Sequence, residues 1–301
     1  MVLNEQAYPN GFLSGARAVL KTRIITALAV LPIVLVALFA FPNWAWDIFT
    51  LGIVLAACWE WSRFCQFEAP NKIRYFICST LLCGAIFYAY LDGKSIVSIA
   101  LIGFTVGAIF WFVIAPVWLA RSARPQSYTV KTLTGWVIIF PTWLALLVLH
   151  DISPWLLLTF AVIVWVADVF AYFVGKAIGK NKLAPAISPG KTIEGALGGM
   201  AGVVLYFFLW QLLAQTETFR VETWVLQLQA QGYWLLAVFV LLGVLSVLGD
   251  LFESWMKRGA NLKDSSNLLP GHGGILDRID ALTSTLPVAG LYALFLFTRF
   301  I

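Results

Sequence analysis

Long apolar runs separated by short polar breaks dominate the hydropathy pattern of this chain. A transmembrane helix needs about 20 mostly apolar residues. Nine segments meet or approach that length: 24–41, 45–62, 75–91, 96–119, 133–149, 154–178, 193–213, 233–256 and 281–299. The stretch 214–232 is amphipathic and charged, and is read as a loop with an interfacial helix. The first apolar run follows Arg17, Lys21 and Arg23, as a signal peptide would. It is longer than a secretory h-region of about 7–15 residues, so it is expected to remain as an uncleaved first helix. The pattern predicts an all-α, polytopic membrane protein.

Composition agrees. Of 301 residues, 61% are hydrophobic and 12% charged, against about 25% charge in soluble domains. Mean hydropathy is +0.87. The net charge of +5 is spread over loops, which argues against a nucleic-acid partner. Cys58, Cys65, Cys78 and Cys83 lack CxxC spacing and read as small apolar residues of helices. With nine spans and a cytoplasmic N-terminus, seventeen Lys and Arg fall inside, and Lys94, Arg220 and Arg299 fall outside, which accounts for all 20. The positive-inside rule favours that arrangement. It puts the C-terminus outside and the polar loops 176–192 and 257–280 on the cytoplasmic face.

Residues 1–150 have short polar loops and are read as scaffold helices 1–5. Residues 151–301, helices 6–9, hold nearly all the unusual polar residues. Charge is costly in a bilayer and is usually kept for function. Asp168, Asp250 and Asp277 each lie within or at the edge of an apolar helix. Such acids can be proton relays, packing partners or metal ligands. Asp250, Glu253 and Lys257 share one helical face. Asp277 and Asp280 are three apart at the start of the last helix, where the dipole favours negative charge. Hard oxygen donors of this kind suit Mg²⁺, which commonly takes one or two carboxylates and completes its shell with water and phosphates. For Asp168 and Asp280 a packing role with Lys or Arg competes.

A second polar loop, residues 179–195, carries Ser188, Lys191 and Thr192 at the start of a helix, and Glu194 in its first turn. It reads either as a phosphate site or as a helix cap in a basic loop. A P-loop is excluded, because Pro185 stands where Gly is needed and no β-strand is expected before it. Gly175 and Gly179 follow Asp168 on one face and suit close helix packing. His272 lacks a second His or Cys at zinc-ligand spacing. It reads as a phosphate contact or a structural hydrogen-bonder. Gly271, Gly273 and Gly274 permit close backbone approach to a ligand.

The run from Ser254 to Asp280 resembles the signature of the phosphatidate cytidylyltransferases, the CDP-diacylglycerol synthases. It has Ser254, Lys257-Arg258, Lys263-Asp264, Ser266, Leu269-Pro270, His272-Gly273-Gly274 and Asp277-Arg278-x-Asp280 at the family's spacing. The segments GKNKLAPAISPGKT, SVLGDLFES and the early WEW resemble the bacterial branch, and the likeness spans essentially the whole chain. One departure is visible. The family usually has small residues after the acid at 168, where this chain has Val169 and Phe170.

The resemblance implies transfer of the cytidylyl group of CTP to phosphatidic acid, giving CDP-diacylglycerol and pyrophosphate. It implies a Mg²⁺ site, with a second cation in some members, at Asp250 and Asp277, with Asp280 supporting. Lys257, Arg258, Lys263, Arg278 and Lys191 become candidate phosphate contacts. Ser188 and Thr192 become contacts to phosphate or metal, and Ser254, His272, Gly273 and Gly274 substrate contacts. A homodimer in a bacterial inner membrane is also implied. Competing expectations are a transporter using the acids for ions, or a catalytically silent relative. A CDP-alcohol phosphotransferase is disfavoured, since its DGxxAR start is missing.

Overall fold

The computed structural model describes residues 28–93, 96–271 and 273–297. The protein is an all-α, multi-pass membrane protein. Its helices are α1 (Leu28–Ala40), α2 (Asn43–Phe64), α3 (Ala69–Asp92), α4 (Ile96–Ile109), α5 (Ala115–Arg121), α6 (Tyr128–Ile152), α7 (Pro154–Ile178), α8 (Ile193–Ala214), α9 (Thr223–Gln229), α10 (Tyr233–Gly259) and α11 (Leu276–Phe297). A π-helical turn, Phe110–Ile114, joins α4 to α5 into one continuous span. Pro116, the second residue of α5, supplies no backbone N–H, which accounts for the local widening. Among the described residues, seven helices are long and apolar enough to cross a membrane.

All nine expected segments coincide with helices. The two outside the seven are α2 and α1. The former carries Asp47, Glu60 and Arg63, and the described part of the latter is shorter than a span. Residues 24–27 of the first expected span and 298–299 of the last lie outside the described residues. The last helix begins at Leu276 rather than 281, so Asp277 stands in its first turn, as expected. The loop 214–232 contains the short helix α9. All four cysteines are free, and three are buried.

The helices run back and forth between two ends. At one end, Gln66 reaches Ala260 O at 3.0 Å, Lys131 reaches Cys65 O at 3.0 Å, and Arg124 lies over Trp255. At the other, Tyr90 bonds Asp151 at 2.6 Å and Phe39 packs on Trp155. Every described Lys and Arg except Arg220 belongs to the first end. Helix α6 runs through the middle, with 78% of its most apolar stretch buried, whereas α3 is peripheral at 17%. Large apolar side chains face outward around the bundle, among them Leu81, Ile102, Leu212 and Phe295. That is costly in water and expected where lipid is the solvent.

Helices α4, α6 and α11 meet where a Cβ on Gly107 would stand 3.1 Å from Pro287 and 3.2 Å from Pro141. The π turn presses Phe110 and Trp111 edge-on against Phe252 of α10, with ring centroids 5.4 Å apart. These contacts fix α10 and α11, the two helices that carry the acids.

One element departs from the all-helical expectation. Residues Lys182–Ala184 (β1) and Ser188–Thr192 (β2) form an antiparallel hairpin, pairing Lys182 with Thr192 and Ala184 with Ser188. A short strand therefore does precede α8, contrary to the sequence reading. Pro185 still excludes a P-loop.

Candidate active site

Asp250 and its partners come from four elements. Helices α10 and α11 approach closely at Gly249, where a Cβ would stand 2.8 Å from Asp280 O. Ser284 of α11 donates to Leu245 O at 2.7 Å just below. This brings Asp250 and Asp280 together. Helix α7 adds Asp168, and the three acids are close enough to repel one another. Lys191, at the end of β2, forms an ion pair with Asp250, and Ser254 donates to Asp250 at 3.3 Å. Arg278 and Lys191 both act electrostatically on Asp168.

Val169 and Phe170, the departure noted above, do not crowd this site. Val169 is half exposed, and Phe170 lies against Gly202 of α8. The α7–α8 seam is tight because small residues line it. A Cβ on Gly175 would stand 2.9 Å from Thr192 Oγ1, and one on Gly195 would stand 2.8 Å from Ala171 O. The packing role expected for Gly175 and Gly179 is the one observed.

The hairpin is anchored at its mouth. Glu194, in the first turn of α8, accepts from Lys180 N at 3.1 Å and from Asn181 Nδ2 at 2.7 Å. Buried Thr192 caps α8 by accepting from Gly195 N at 3.1 Å. The cap reading of this residue is therefore realised. Ser188, Lys191, Thr192, Asp168 and Asp250 all line one cavity of about 630 Å³.

Asp277 occupies a different set of contacts. Its Oδ1 accepts from Lys257 Nζ at 2.7 Å, and Lys257 also pairs with Glu253. Its Oδ2 accepts from Ser265 N, Ser265 Oγ and Gly274 N at 2.7, 2.8 and 2.7 Å. Gly273 has φ +80°, and a Cβ there would collide with Asp277. A Cβ on Gly274 would collide with Ser265 and Glu60. These glycines allow the loop to close on carboxylates of the protein itself. Leu269 N bonds Gly273 O at 2.8 Å and closes the turn between them. Arg258, in the last turn of α10, and Lys263, on the loop, are exposed. His272 lies outside the described residues.

Glu60 is the residue that the sequence reading missed. It is fully buried in α2, on the far side of the chain in sequence. It accepts from Ser265 Oγ at 3.0 Å, Ser266 Oγ at 2.5 Å, Ile275 N at 3.0 Å and Leu276 N at 2.7 Å. The signal was present as a lone acid within an apolar, aromatic run.

A second cavity, of about 450 Å³, changes character along its length. Asp168, Asp277, Arg278 and Asp280 line its polar part, and Val30, Leu31, Val34 and Leu286 are among its apolar walls. Asp168 borders both cavities.

The sequence model of the cytidylyltransferase family matches residues 21–296. The chain belongs to that family. Among its relatives, the phosphatidate cytidylyltransferase of Pseudomonas aeruginosa is 36% identical over 276 residues, covering 89% of this chain and 95% of the relative. That of Haemophilus influenzae is 32% identical over 296 residues, covering 92% and 99%. That of Thermotoga maritima is 30% identical over 283 residues, covering 90% and 94%. The cluster of acids and lysines thus belongs to a cytidylyltransferase.

Among the described residues, no group of three or more His, Cys, Asp or Glu is arranged as a metal cage. The donor chemistry nevertheless fits Mg²⁺, which needs only one or two protein carboxylates. A divalent cation here would take one or two of these carboxylates and complete its shell with water and phosphate.

Proposed function

We propose that this chain transfers the cytidylyl group of CTP to phosphatidic acid, releasing pyrophosphate and forming CDP-diacylglycerol. The observation that carries the reading is the meeting of two unlike cavities at Asp168. One is lined by Lys191, Ser188 and the acids, and the other runs from the acids into apolar walls. The first suits a triphosphate, and the second a phosphate headgroup with acyl chains. Full-length relatives named for this activity support it.

In the reaction a phosphatidate oxygen attacks the α-phosphorus of CTP. The bond to the bridging oxygen breaks, and pyrophosphate leaves with that electron pair. No covalent link to the protein is required. Attacker and target are both anionic, so preplaced cations lower the barrier. Lys191 stands beside the polar cavity and Arg278 beside the lipid cavity. Lys257 and Arg258, in the last turn of α10, and Lys263, on the loop that follows, are further candidates to take phosphate charge. Ser188 and Ser254 supply hydroxyl contacts, and His272, Gly273 and Gly274 complete the loop.

Mg²⁺ is the cofactor of this proposal, joined by a second cation if this chain follows the members of the family that use one. Asp250 would hold Mg²⁺, with Asp280 supporting; Asp277, whose oxygens are taken by Lys257, Ser265 and Gly274, would join as the second ligand only by exchanging Lys257 for the ion. When bound, it would offset the charge on the triphosphate and on leaving pyrophosphate. The chain's own residues orient the two substrates and hold the acids in place.

The membrane is a bacterial inner membrane, with nine spans, the N-terminus in the cytoplasm and the C-terminus outside. The one-ended distribution of Lys and Arg supports this orientation. It sets the site where cytosolic CTP meets inner-leaflet lipid. Residues 1–150 serve as scaffold and 151–301 as the chemical half, and the working unit is a homodimer.

The test is direct. Purified protein is incubated with labelled CTP, phosphatidic acid and Mg²⁺, and lipid-extractable cytidine is measured. Product dependent on all three is expected. Well-folded protein that makes none overturns the reading.

A further inference from the structure

We infer that Glu60 is the positioning residue of the catalytic loop, setting Asp277 through a shared serine hydroxyl. The inference rests on the functional reading of residues 254–280 given above.

Glu60 lies in α2, 205 positions from Ser265 and 216 from Leu276. Its carboxylate gathers both flanks of the loop. Ser265 and Ser266 come from the outgoing side, and Ile275 and Leu276 from the return. The last two N–H groups belong to the start of α11, where a helix leaves its first donors unsatisfied. The buried carboxylate has three donors of its own and a fourth, the Ser265 hydroxyl, shared with Asp277, and it faces the positive end of a helix dipole. It is fully enclosed and touches neither of the large cavities described above, so it does not meet substrate.

Its influence reaches the site through Ser265. That hydroxyl lies 3.0 Å from Glu60 Oε2 and 2.8 Å from Asp277 Oδ2. One hydroxyl carries one proton, so it can donate to only one carboxylate at a time. Asp277 Oδ2 already receives Ser265 N and Gly274 N. Glu60 therefore competes for the hydroxyl proton and fixes the serine's rotamer. With it goes the backbone that delivers both N–H groups to Asp277. Outer partners of this kind typically change activity by about 10–100-fold.

The experiment compares Glu60→Gln, Ser266→Ala, Asp277→Asn and the double variant Glu60→Gln/Asp277→Asn in the full-length protein. Initial rates with CTP and phosphatidic acid give kcat and KM. Trypsin cleavage after Lys263, which is exposed on the loop, reports loop order without substrate. Glu60→Gln should lower kcat about 10–100-fold, leave KM for CTP nearly unchanged, and speed cleavage at Lys263. Ser266→Ala should do the same to a smaller extent, and it keeps the test open if Glu60→Gln does not fold. The double variant should be no slower than Asp277→Asn alone. Wild-type kcat and wild-type cleavage in both Glu60→Gln and Ser266→Ala would overturn the inference. So would fully additive losses in the double variant. If wild-type protein makes no product, the functional reading fails, while the cleavage pattern still judges Glu60.

Discussion

Lys257 Nζ lies 2.7 Å from Asp277 Oδ1, joining the end of α10 to the first turn of α11 across the whole signature loop. The same ammonium pairs with Glu253 one turn back, and the Asp277 side chain is only 4% exposed. A cation between two enclosed acids neutralises charge that neither helix could hold alone. Removing one partner of a buried pair strands the others.

Lys257→Met should therefore cost stability as well as rate. Breaking a buried ion pair from one side typically costs about 3–5 kcal/mol. Melting of the detergent-purified variant should move down by several degrees, with cytidylyl transfer lost. An unchanged melting curve would show that Glu253 and Asp277 do not depend on this lysine.

Asp277→Asn should keep the fold more nearly intact. An amide oxygen can still accept from Ser265 N and Gly274 N, but the charge facing Lys257 is gone. Transfer should fall at least ~100-fold, the order seen when one charge-stabilising group is removed. Arg220→Ala, at the opposite end and exposed, should transfer at the wild-type rate. Equal rates for both variants would remove Asp277 from the site.

These residues also show what a linear reading could see. Apolar run length located the helices, because bilayer thickness imposes one length on every span. The spacing within 250–280 located Asp250, Lys257 and Asp277, since those residues lie on two consecutive helices. The hairpin 182–192 was invisible: it is two short strands broken by Pro185 and Pro189, with no alternation to read. Glu60 was overlooked because its partners lie more than 200 positions away and its neighbours are aromatic. The π turn at Phe110–Ile114 left no trace in hydropathy, since every residue there is apolar either way.

The apolar part of the second cavity gives a separable handle on the lipid. Leu31, on α1, lines it and is about half exposed, so a larger side chain can be accommodated without rebuilding the core. Leu31→Trp should raise KM for phosphatidic acid severalfold and leave KM for CTP unchanged. Equal shifts in both constants would mean that the cavity does not receive acyl chains.

The α7–α8 seam, which borders the polar cavity, offers a test of how packing sets that cavity's geometry. Gly195 faces Ala171 O and Thr192 Oγ1, so Gly195→Val forces α8 and the hairpin away from α7. Overpacking of this kind costs about 1–3 kcal/mol. Lys191 and Asp168 would separate with it, so transfer should drop while the protein still purifies as a folded species. Gly52→Ala is the matched control, with nothing within 4 Å of its added Cβ. Alanine also favours a helix over glycine by up to about 1 kcal/mol, so this variant should be neutral or slightly stabilised. Full activity in Gly195→Val would mean that the seam does not position the acids.

Divalent-ion dependence bears on the acids directly. Asp168, Asp250 and Asp280 repel one another, and Lys191 offsets only part of that charge. Mg²⁺ should therefore raise the melting temperature of the purified protein even without CTP, through preferential binding to the folded state. Chelation with EDTA should abolish transfer, and added Mg²⁺ should restore it. Asp250→Asn should lose both the stabilisation and the rate. If Mg²⁺ stabilises wild type and Asp250→Asn equally, the ion binds elsewhere, and the assignment of Asp250 as a ligand is wrong.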